Sequence, residues 1–349
     1  MVMKQTLQIR NRRLGPGEPL FIAAEVGVTC NYDLEIAKQL IDVVSESGAD
    51  AAKFIFWFPE EIMSDHSIEY HYDTVDGPRS ENMLEMLQQL RFSFEQWQEL
   101  KAHADKRDVV LFSTVNCNSG IEWAEALGLE AYKLSSWDFN HHPLWRRVAA
   151  QGKPMLIDTG PVRTVDVAKV MDLMRQEDND SALLVHTVHT SRPEEINMRT
   201  IPYMAKAFNT PVGYSSSGRE SETDITAVSL GACYIEKRLT LDRALPGHHH
   251  VLSMEPDEFR QYVRMIRDVQ LSLGVEDLRP SPNDLSERKK WFRHLVANRD
   301  LSSGTVLTEA MIEGKRPETG ISPEYTEFFI GRTLKRDLKE NDSLRWEDV

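Results

Sequence analysis

The chain has 349 residues, of which 41% are hydrophobic and 28% are charged, and its formal net charge is −14. This length suits one large domain and one small domain, and the acidic charge disfavours binding to nucleic-acid phosphates. No apolar run approaches the ~20 residues that cross a bilayer, and no apolar segment of a signal peptide follows the charged N-terminus. The three separate cysteines, Cys30, Cys117 and Cys233, are typical of reduced thiols. We therefore expect a cytoplasmic protein without nucleic-acid or membrane partners.

Eight short apolar runs alternate with helical segments from about residue 20 onward. The runs span residues 20–27, 51–57, 109–114, 131–136, 155–160, 182–187, 212–217 and 232–240. Nearly continuous apolar runs are typical of strands that are covered on both faces. Between them, Asp33 begins one predicted helix, and Ser93 with Gln96 forms a capping box for another. The alternation predicts a (β/α)8 TIM barrel, with a doubly wound open sheet as the alternative.

Two regions depart from this alternation. Residues 59–91 are acidic and aromatic, and we expect them to form an elaborated loop plus a helix on the catalytic face of the barrel. Residues 275–290 are polar and contain two prolines, which is typical of a linker. The remaining residues predict a small β-rich domain with turns at Ser303-Gly304 and Asn341-Asp342. The expected domains are therefore 1–280 for the barrel and 281–349 for the linker plus the small domain.

Polar side chains follow the apolar part of the eight runs. These are Glu25, Lys53, Ser113, Thr114, Lys133, Ser135, Ser136, Asp158, Thr159, His186, His189, 215–217 and 236–238. The carboxyl ends of barrel strands converge on one site. Lysines among several hydroxyls indicate an anionic ligand, phosphorylated or carboxylated.

Three consecutive histidines, residues 248–250, follow the eighth run. On an extended chain His248 and His250 would share one side and His249 would face the other. Spacing fixes no further ligand, so the histidines alone are a weak metal motif. The chain has neither a P-loop nor a GxGxxG motif, so a nucleotide cofactor has no support.

Five segments of the barrel region carry a family resemblance: AEVGVTCNYDLEIAKQLIDVVSESGADAAKF, FSTVNCNSGIEWAEALGLEAYKLSS, GKPMLIDTG, PVGYSSS and GACYIEKRLTLDRALPG. They are similar to the sialic acid synthase family, meaning the N-acetylneuraminate synthases and their spore coat polysaccharide biosynthesis relatives. The tail VANRDLSSGTVLTEAMIEGKRPETGISPE resembles the SAF (antifreeze-like) domain of that family. The resemblance implies a TIM barrel followed by a small SAF domain, in a domain-swapped homodimer.

The activity that this resemblance implies is a transferase reaction. Phosphoenolpyruvate (PEP) condenses with an open-chain N-acyl hexosamine, phosphate is released, and a 2-keto sugar acid forms for surface polysaccharide biosynthesis. The resemblance implies PEP-binding positions at Lys53, Thr114, Lys133, Ser136 and Ser215. On the acceptor side it implies Glu25, Asp138 in place of another family acid, and Arg316, which would reach the N-acyl group of the acceptor held by the other subunit.

Other positions depart from the family pattern. The two metal-ligand histidines of the family are Ser217 and Arg238 here, and an aspartate is His249. Asp158 replaces a serine that contacts phosphate, and His189 replaces an asparagine of the loop after the sixth strand. The family uses a divalent metal such as Mn or Mg, whereas the cofactor of this chain is unknown from its sequence.

These departures leave three interpretations open. Arg238 could replace the metal as a fixed cation, His249 and His189 could rebuild a metal site, or the barrel could have lost the reaction. The functional alternatives to a synthase are a non-catalytic sugar-binding relative and a metal-free aldolase or lyase that uses Lys133 as a Schiff-base lysine. The sequence gives neither the acceptor sugar nor the product.

Overall fold

Eight parallel strands close into a barrel in the first part of the chain. The computed structural model describes residues 2–349. The strands are β1 Leu7–Ile9, β2 Arg12–Leu14, β3 Phe21–Glu25, β4 Ala51–Ile55, β5 Glu69–Thr74, β6 Gly77–Asn82, β7 Val110–Thr114, β8 Tyr132–Leu134, β9 Met155–Asp158, β10 Ala182–Thr187, β11 Val212–Ser215, β12 Tyr234–Arg238, β13 His294–Ala297 and β14 Ile312–Lys315. Around the barrel the order is β3-β4-β7-β8-β9-β10-β11-β12, and β12 pairs with β3. The predicted TIM barrel is thus confirmed.

Helices follow the barrel strands along the chain. They are α1 Leu34–Ser47, α2 Pro59–Ile62, α3 Met83–Gln89, α4 Phe94–Lys106, α5 Asn118–Ala126, α6 His142–Ala149, α7 Thr164–Gln176, α8 Pro193–Ile196, α9 Thr200–Phe208, α10 Glu222–Ser229, α11 Pro256–Leu273, α12 Pro282–Trp291 and α13 Thr326–Phe329. Asp33 caps α1 by accepting from two backbone N–H groups, and Ser93 with Gln96 forms the predicted capping box of α4. None of the helices in residues 2–349 is long and apolar enough to span a membrane.

The barrel interior changes from apolar to polar along each strand. Alternate residues of a strand face the same side, so Phe21 and Ala23 of β3 share a buried cluster with Phe112 of β7, and Glu25 follows on the same side. The hairpin β1–β2 adds Leu7, Ile9 and Leu14 to that cluster. The apolar residues therefore fill the amino-terminal part of the barrel, and polar residues remain for the carboxyl-terminal mouth.

The segment between β4 and α4 is more regular than the expected loop plus helix. After α2, strands β5 and β6 pair antiparallel around the turn before Gly77, whose φ is +110°. The dipeptide Asp76-Gly77 is a hairpin signal, so the hairpin was available from sequence. Helix α3 follows directly, with Asn82 accepting at 3.1 Å from the N–H of Glu85.

The second unit of the chain, Val275–Val349, has its own apolar core. Strands β13 and β14 pair antiparallel, and isolated bridges such as Leu301 with Leu338 complete the β structure. The polar stretch expected as a linker contains most of α12, which Ser281 and Asp284 cap. A capping box with proline at the first helical turn is a helix-start signal, which the linker interpretation overlooked. The domain limits 1–280 and 281–349 stay a prediction.

Candidate functional site

A cavity of about 500 Å³ opens at the carboxyl ends of the barrel strands. Every barrel strand, or the loop that follows it, contributes at least one lining side chain. Ten of the twelve residues predicted for the site line it: Glu25, Lys53, Thr114, Ser136, Asp138, Asp158, His189, Ser215, Arg238 and His249. Their roles stay predictions. The other two are Lys133, which is fully buried at 0% exposure, and Arg316, which belongs to the second unit.

Lys133 forms the centre of a buried ion cluster. Its Nζ lies 2.8 Å from Asp158 Oδ1 and 2.8 Å from Glu236 Oε2. Tyr234 donates to the same Glu236 oxygen at 2.6 Å, and Thr187 donates to Asp158 Oδ1 at 2.6 Å. Burial alone would lower the pKa of Lys133, but the two carboxylates outweigh burial and raise the pKa. The lysine is therefore held as an ammonium ion, and its charge is compensated inside the protein.

A second lysine stands closer to the cavity. Lys53 Nζ lies 3.7 Å from Glu25 Oε1, and the same Glu25 oxygen accepts from the backbone N–H of Gly27 at 3.0 Å. Register explains this pair, because Glu25 of β3 and Lys53 of β4 are aligned neighbours. At 3.7 Å the ion pair leaves donor positions of Lys53 for a ligand.

Arg238 brings a fixed positive charge to the mouth. It lies at the end of β12, and its Nη1 donates to the backbone carbonyl of Ser217. The hydroxyl of Ser217 donates to the carbonyl of Thr190 at 2.9 Å, so both side chains are anchored to neighbouring loops. A guanidinium has five donors, and this anchoring leaves others for a ligand.

The three histidines do not have the arrangement expected for an extended chain. His249 adopts φ +71°, so the backbone turns, and both His248 and His249 line the cavity. His248 lies 5.3 Å and 5.6 Å from the ring centroids of Tyr70 and Tyr72. His250 instead is bonded to Thr240 and Asn31, at 2.8 and 3.1 Å.

His248 and His249 are both neutral imidazoles. Burial lowers the pKa of His248 to about 4, with nearby positive charge adding to the effect. Burial first, and then the charge of Arg238, lowers the pKa of His249 well below its usual value. His249 Nδ1 is buried without a hydrogen-bond partner, so this nitrogen is available to a ligand.

Asp138 follows β8, two strands from Lys53 of β4 around the barrel, and His189 follows β10, four strands from β4. Burial raises the pKa of Asp138 to about 6, so this carboxyl holds its proton more tightly than an exposed aspartate does. His189 stacks on Trp137 with a centroid separation of 4.6 Å, and its Nε2 lies 3.3 Å from Ser136 Oγ. Burial and then Arg238 lower the pKa of His189, although Asp158 opposes them.

Several strand-end residues that were grouped with the site face away from it. Lys237 pairs with Asp224 at 2.7 Å, His186 is bonded to the carbonyl of Ile196 at 2.7 Å, and Ser113 is buried beside Thr114. None of these three lines the cavity. Neighbouring residues of a strand point to opposite faces. Thr114, Thr187 and Arg238 face the cavity, so the residue before each of them faces outward, and this alternation could have been applied to the sequence.

Sequence reasoning missed much of the lining. The missed residues are mostly apolar or aromatic: Val28, Ile55, Trp57, Ile62, Tyr70, Met83, Met86, Leu87, Asn116 and Trp137. Five of them come from residues 59–91, which were expected on the catalytic face as a segment but without named side chains. Apolar residues in a loop carry no site signal of their own, so only the fold reveals them.

The residues present do not fit the divalent metal that the resemblance implies. Within residues 2–349, no three His, Cys, Asp or Glu side chains are placed to hold one ion. The positions of the two expected histidine ligands hold Ser217 and Arg238, and a protonated guanidinium has no lone pair to offer a cation. The interpretation in which His249 and His189 rebuild a metal site has no third ligand among the described residues.

A TIM barrel with a polar cavity at the carboxyl ends of its strands defines the class: a barrel protein with a ligand site at its mouth. The chain belongs to the NeuB family, whose model matches residues 40–277, and it carries a SAF domain at residues 292–349. This confirms the family resemblance and the SAF domain expected from the sequence.

Curated relatives match nearly the whole chain. N,N'-diacetyllegionaminic acid synthase of Legionella pneumophila is 30% identical and covers 96% of each chain. Human N-acetylneuraminate-9-phosphate synthase is 29% identical over 97% of this chain and 95% of the relative. Spore coat polysaccharide biosynthesis protein SpsE of Bacillus subtilis has a solved structure that is 27% identical, with a TM-score of 0.67 and 99% coverage of both chains. Relatives of this chain are therefore sugar acid synthases.

Proposed function

We propose that this protein is a sugar acid synthase that condenses PEP with an N-acyl hexosamine and releases phosphate. The main support is that relatives named as sugar acid synthases match nearly the whole chain. The cavity at the barrel mouth adds Lys53, Thr114, Ser136 and Ser215, which are the donors that a phosphorylated carboxylate requires. We further propose a cytoplasmic homodimer acting in surface polysaccharide biosynthesis.

The proposed reaction forms one carbon–carbon bond and breaks one bond to phosphate. C3 of PEP bonds to the aldehyde carbon of the acceptor, and the aldehyde π electrons move to oxygen, which takes up a proton. Water adds to C2, and phosphate leaves with its bridging oxygen as the 2-keto group forms. One PEP, one aldehyde and one water thus give one 2-keto sugar acid and one phosphate.

Arg238 would stabilise the negative charge that develops on the aldehyde oxygen. The guanidinium is anchored at Ser217, so it need not reorganise during the reaction. Asp138, whose pKa burial raises to about 6, would give the proton to that oxygen. Glu25, paired with Lys53, would contact a hydroxyl of the acceptor.

Phosphate release tests this proposal. The full-length protein is incubated with PEP and a panel of N-acyl hexosamines, and phosphate and 2-keto acid are quantified together. We expect one phosphate per 2-keto acid with at least one acceptor, and loss of both products in Lys53→Met. No phosphate release with any acceptor, at protein concentrations that allow single turnovers, would refute the synthase proposal.

The compensated lysine favours a second candidate, a relative that binds sugars without condensation. Asp158 stands where the resemblance implies a phosphate-contacting serine, and it pairs with Lys133 at 2.8 Å. A carboxylate at this position repels phosphate. It also neutralises the positive charge of Lys133, which would otherwise attract the phosphate. Calorimetry with PEP distinguishes the two functions. If the protein only binds sugars, the natural protein should not bind PEP, whereas Asp158→Ser should bind it measurably.

The lyase alternative receives less support from the same cluster. A Schiff base requires a neutral amine, whereas the carboxylates of Asp158 and Glu236 raise the pKa of Lys133. Borohydride trapping in the presence of 2-keto acids tests this alternative directly. We expect no covalent adduct on Lys133.

A further inference from the structure

The cavity has one apolar side, which the proposed reaction does not use. Six side chains form this side, which we call the apolar wall: Ile55, Trp57, Ile62, Met83, Met86 and Leu87. Among the ionisable residues of the cavity, Lys53 precedes the wall on β4 and Tyr70 lies in the segment after it, whereas Asp158, Glu236 and Arg238 lie on strands β9 and β12. The cavity is thus suited to a ligand with one charged or polar end and one apolar part.

Barrel topology places the apolar wall across the mouth from strands β9, β10 and β11. All six residues lie on β4 or in the segment that follows it, through α2 and α3. In the closed order of eight strands, β4 is four positions from β10, whose neighbours are β9 and β11. The wall therefore faces Thr187, His189 and Ser215 across the cavity.

The apolar wall is part of the packed structure. Met86 is 6% exposed and Leu87 is 1% exposed, so α3 presses its apolar face inward. Helices α2 and α3 are tied by Gln88, which donates to Glu60 Oε1 at 3.1 Å, and Arg91 pairs with the same oxygen at 3.2 Å. A ligand would meet this surface in place, without ordering a loop.

Five of the six wall side chains have no nitrogen or oxygen, so they cannot pair with sugar hydroxyls. A hydroxyl buried against them would lose its hydrogen bonds to water without replacement. An alkyl group in the same position would gain from leaving water. The wall therefore selects against a fully hydroxylated ligand surface.

Two polar atoms on this side of the cavity lack a partner, the Oδ1 of Asn116 beside the wall and the Nε1 of Trp57 within it. Asn116 is 9% exposed and lines the cavity, and its Oδ1 is buried without a hydrogen bond. Ile55 of β4 is aligned with Thr114 of β7. Trp57 lies two residues beyond Ile55 and Asn116 lies two residues beyond Thr114, so the two residues follow neighbouring strands. An amide group of a ligand lying there would satisfy the asparagine, and an attached alkyl chain would reach the wall.

We propose that the acceptor carries an acylamino group whose amide meets Asn116 and whose alkyl part packs on the apolar wall, with the aldehyde end directed to Arg238. This inference rests on the proposed synthase function for the identity of the acceptor. It goes further by assigning acceptor selectivity to the segment between β4 and α4. A longer acyl chain is expected to bind more tightly until the wall is covered.

Calorimetry with N-acyl hexosaminitols tests the inference on the full-length protein. These reduced sugars have no aldehyde, so their binding does not depend on turnover. Across N-formyl, N-acetyl, N-propanoyl and N-butanoyl ligands, we expect affinity to rise about fourfold for each methylene buried. Met83→Gln should remove most of this dependence, and Asn116→Leu should weaken the whole series.

Met265→Gln is the matched control, because Met265 is also half-buried but lies on the outer helix α11. It should keep the dependence on chain length, and thermal unfolding of both methionine variants checks that they remain folded. Equal affinity for all four ligands, no binding of any, or unchanged behaviour of Met83→Gln would overturn the inference. If phosphate is released from PEP at rates that do not depend on acyl length, the synthase proposal stands and the proposed role of the apolar wall is refuted. Chain-length-dependent binding without phosphate release would keep the wall and refute the synthase.

Discussion

At the scale of single residues, Arg238 changes the chemistry that the barrel mouth supports. It occupies the position of an expected metal-ligand histidine, and its guanidinium donates to the carbonyl of Ser217. A metal and a guanidinium both supply positive charge, but only the guanidinium supplies it without a ligand set. The substitution is therefore compatible with polarisation of an aldehyde by a fixed cation.

Removal of the Arg238 charge is expected to slow turnover strongly. Arg238→Ala should lower kcat by about 100- to 1000-fold, the usual effect of losing one preorganised donor to a developing oxyanion. Arg238→Lys should recover part of the rate, because it restores charge without the forked geometry. Steady-state kinetics with PEP and the best acceptor measure this. Arg260→Ala, at an exposed ion pair on α11, is the control, and a near-normal rate for Arg238→Ala would make Arg238 a bystander.

Asp138 is expected to make stability depend on pH. Burial raises its pKa from 3.8 to about 6, so the folded state binds this proton more tightly than the unfolded state. The stabilisation is complete below about pH 4 and is lost as the pH rises through about 6. Relative to Asp138→Asn, the free energy of unfolding should fall across this range by up to about 3 kcal/mol. Urea unfolding at several pH values measures the difference, and parallel curves would contradict the assignment.

At the scale of elements, sequence periodicity was enough to predict all eight barrel strands. It predicted the strands because both faces of each are covered, which leaves a continuous apolar run. It assigned strand-end residues less well, since Lys237 and His186 face outward. It could not name Met83 or Met86, because an apolar side chain gains a binding role only from the cavity that the fold creates around it.

The turn after β9 positions the mouth through a close backbone approach. Gly160 has φ +41°, and a Cβ there would lie 2.4 Å from the Cβ of Ser136. Gly152 also has positive φ, +69°, but a Cβ there would meet nothing within 4 Å. A substitution at Gly152 therefore introduces backbone strain alone, whereas a substitution at Gly160 introduces backbone strain and a steric clash.

We expect Gly160→Ala to be more damaging than Gly152→Ala. Both variants place an alanine in a strained backbone conformation with positive φ. Only Gly160→Ala must also displace Ser136, which adds about 1–3 kcal/mol of destabilisation. It should also lower kcat/KM for PEP, because Ser136 lines the site. Thermal unfolding and steady-state kinetics of both variants check this, and equal effects would show that the approach to Ser136 is relaxed at little expense.

At the scale of the whole molecule, the family match extends through a barrel and a SAF domain. The predicted homodimer assigns Arg316 of the small domain to the active site of the other subunit. Within its own unit, the Nε of Arg316 donates to the carbonyl of Trp291 at 2.7 Å. The exchange of a domain between subunits is therefore a prediction that requires a test on mixed subunits.

Complementation between two inactive variants provides that test. Lys53→Met removes a barrel residue and Arg316→Ala removes the small-domain residue, so each homodimer should be inactive. A mixed dimer would contain one intact site if Arg316 acts across the dimer, which returns about a quarter of normal activity after random mixing. Refolding the two variants together and measuring phosphate release checks this. Activity no higher than that of the separate variants would contradict the exchange.

The measurement that tests the central claim most directly is phosphate release from PEP by EDTA-treated protein with its best N-acyl hexosamine acceptor. The claim is that this NeuB-family barrel catalyses the condensation with Arg238 in place of a metal. We predict equal amounts of phosphate and 2-keto sugar acid, at a rate that EDTA does not change and that Arg238→Ala lowers by about 100-fold or more. Loss of turnover in EDTA with recovery on adding Mn²⁺, or no phosphate release with any acceptor, would contradict the claim.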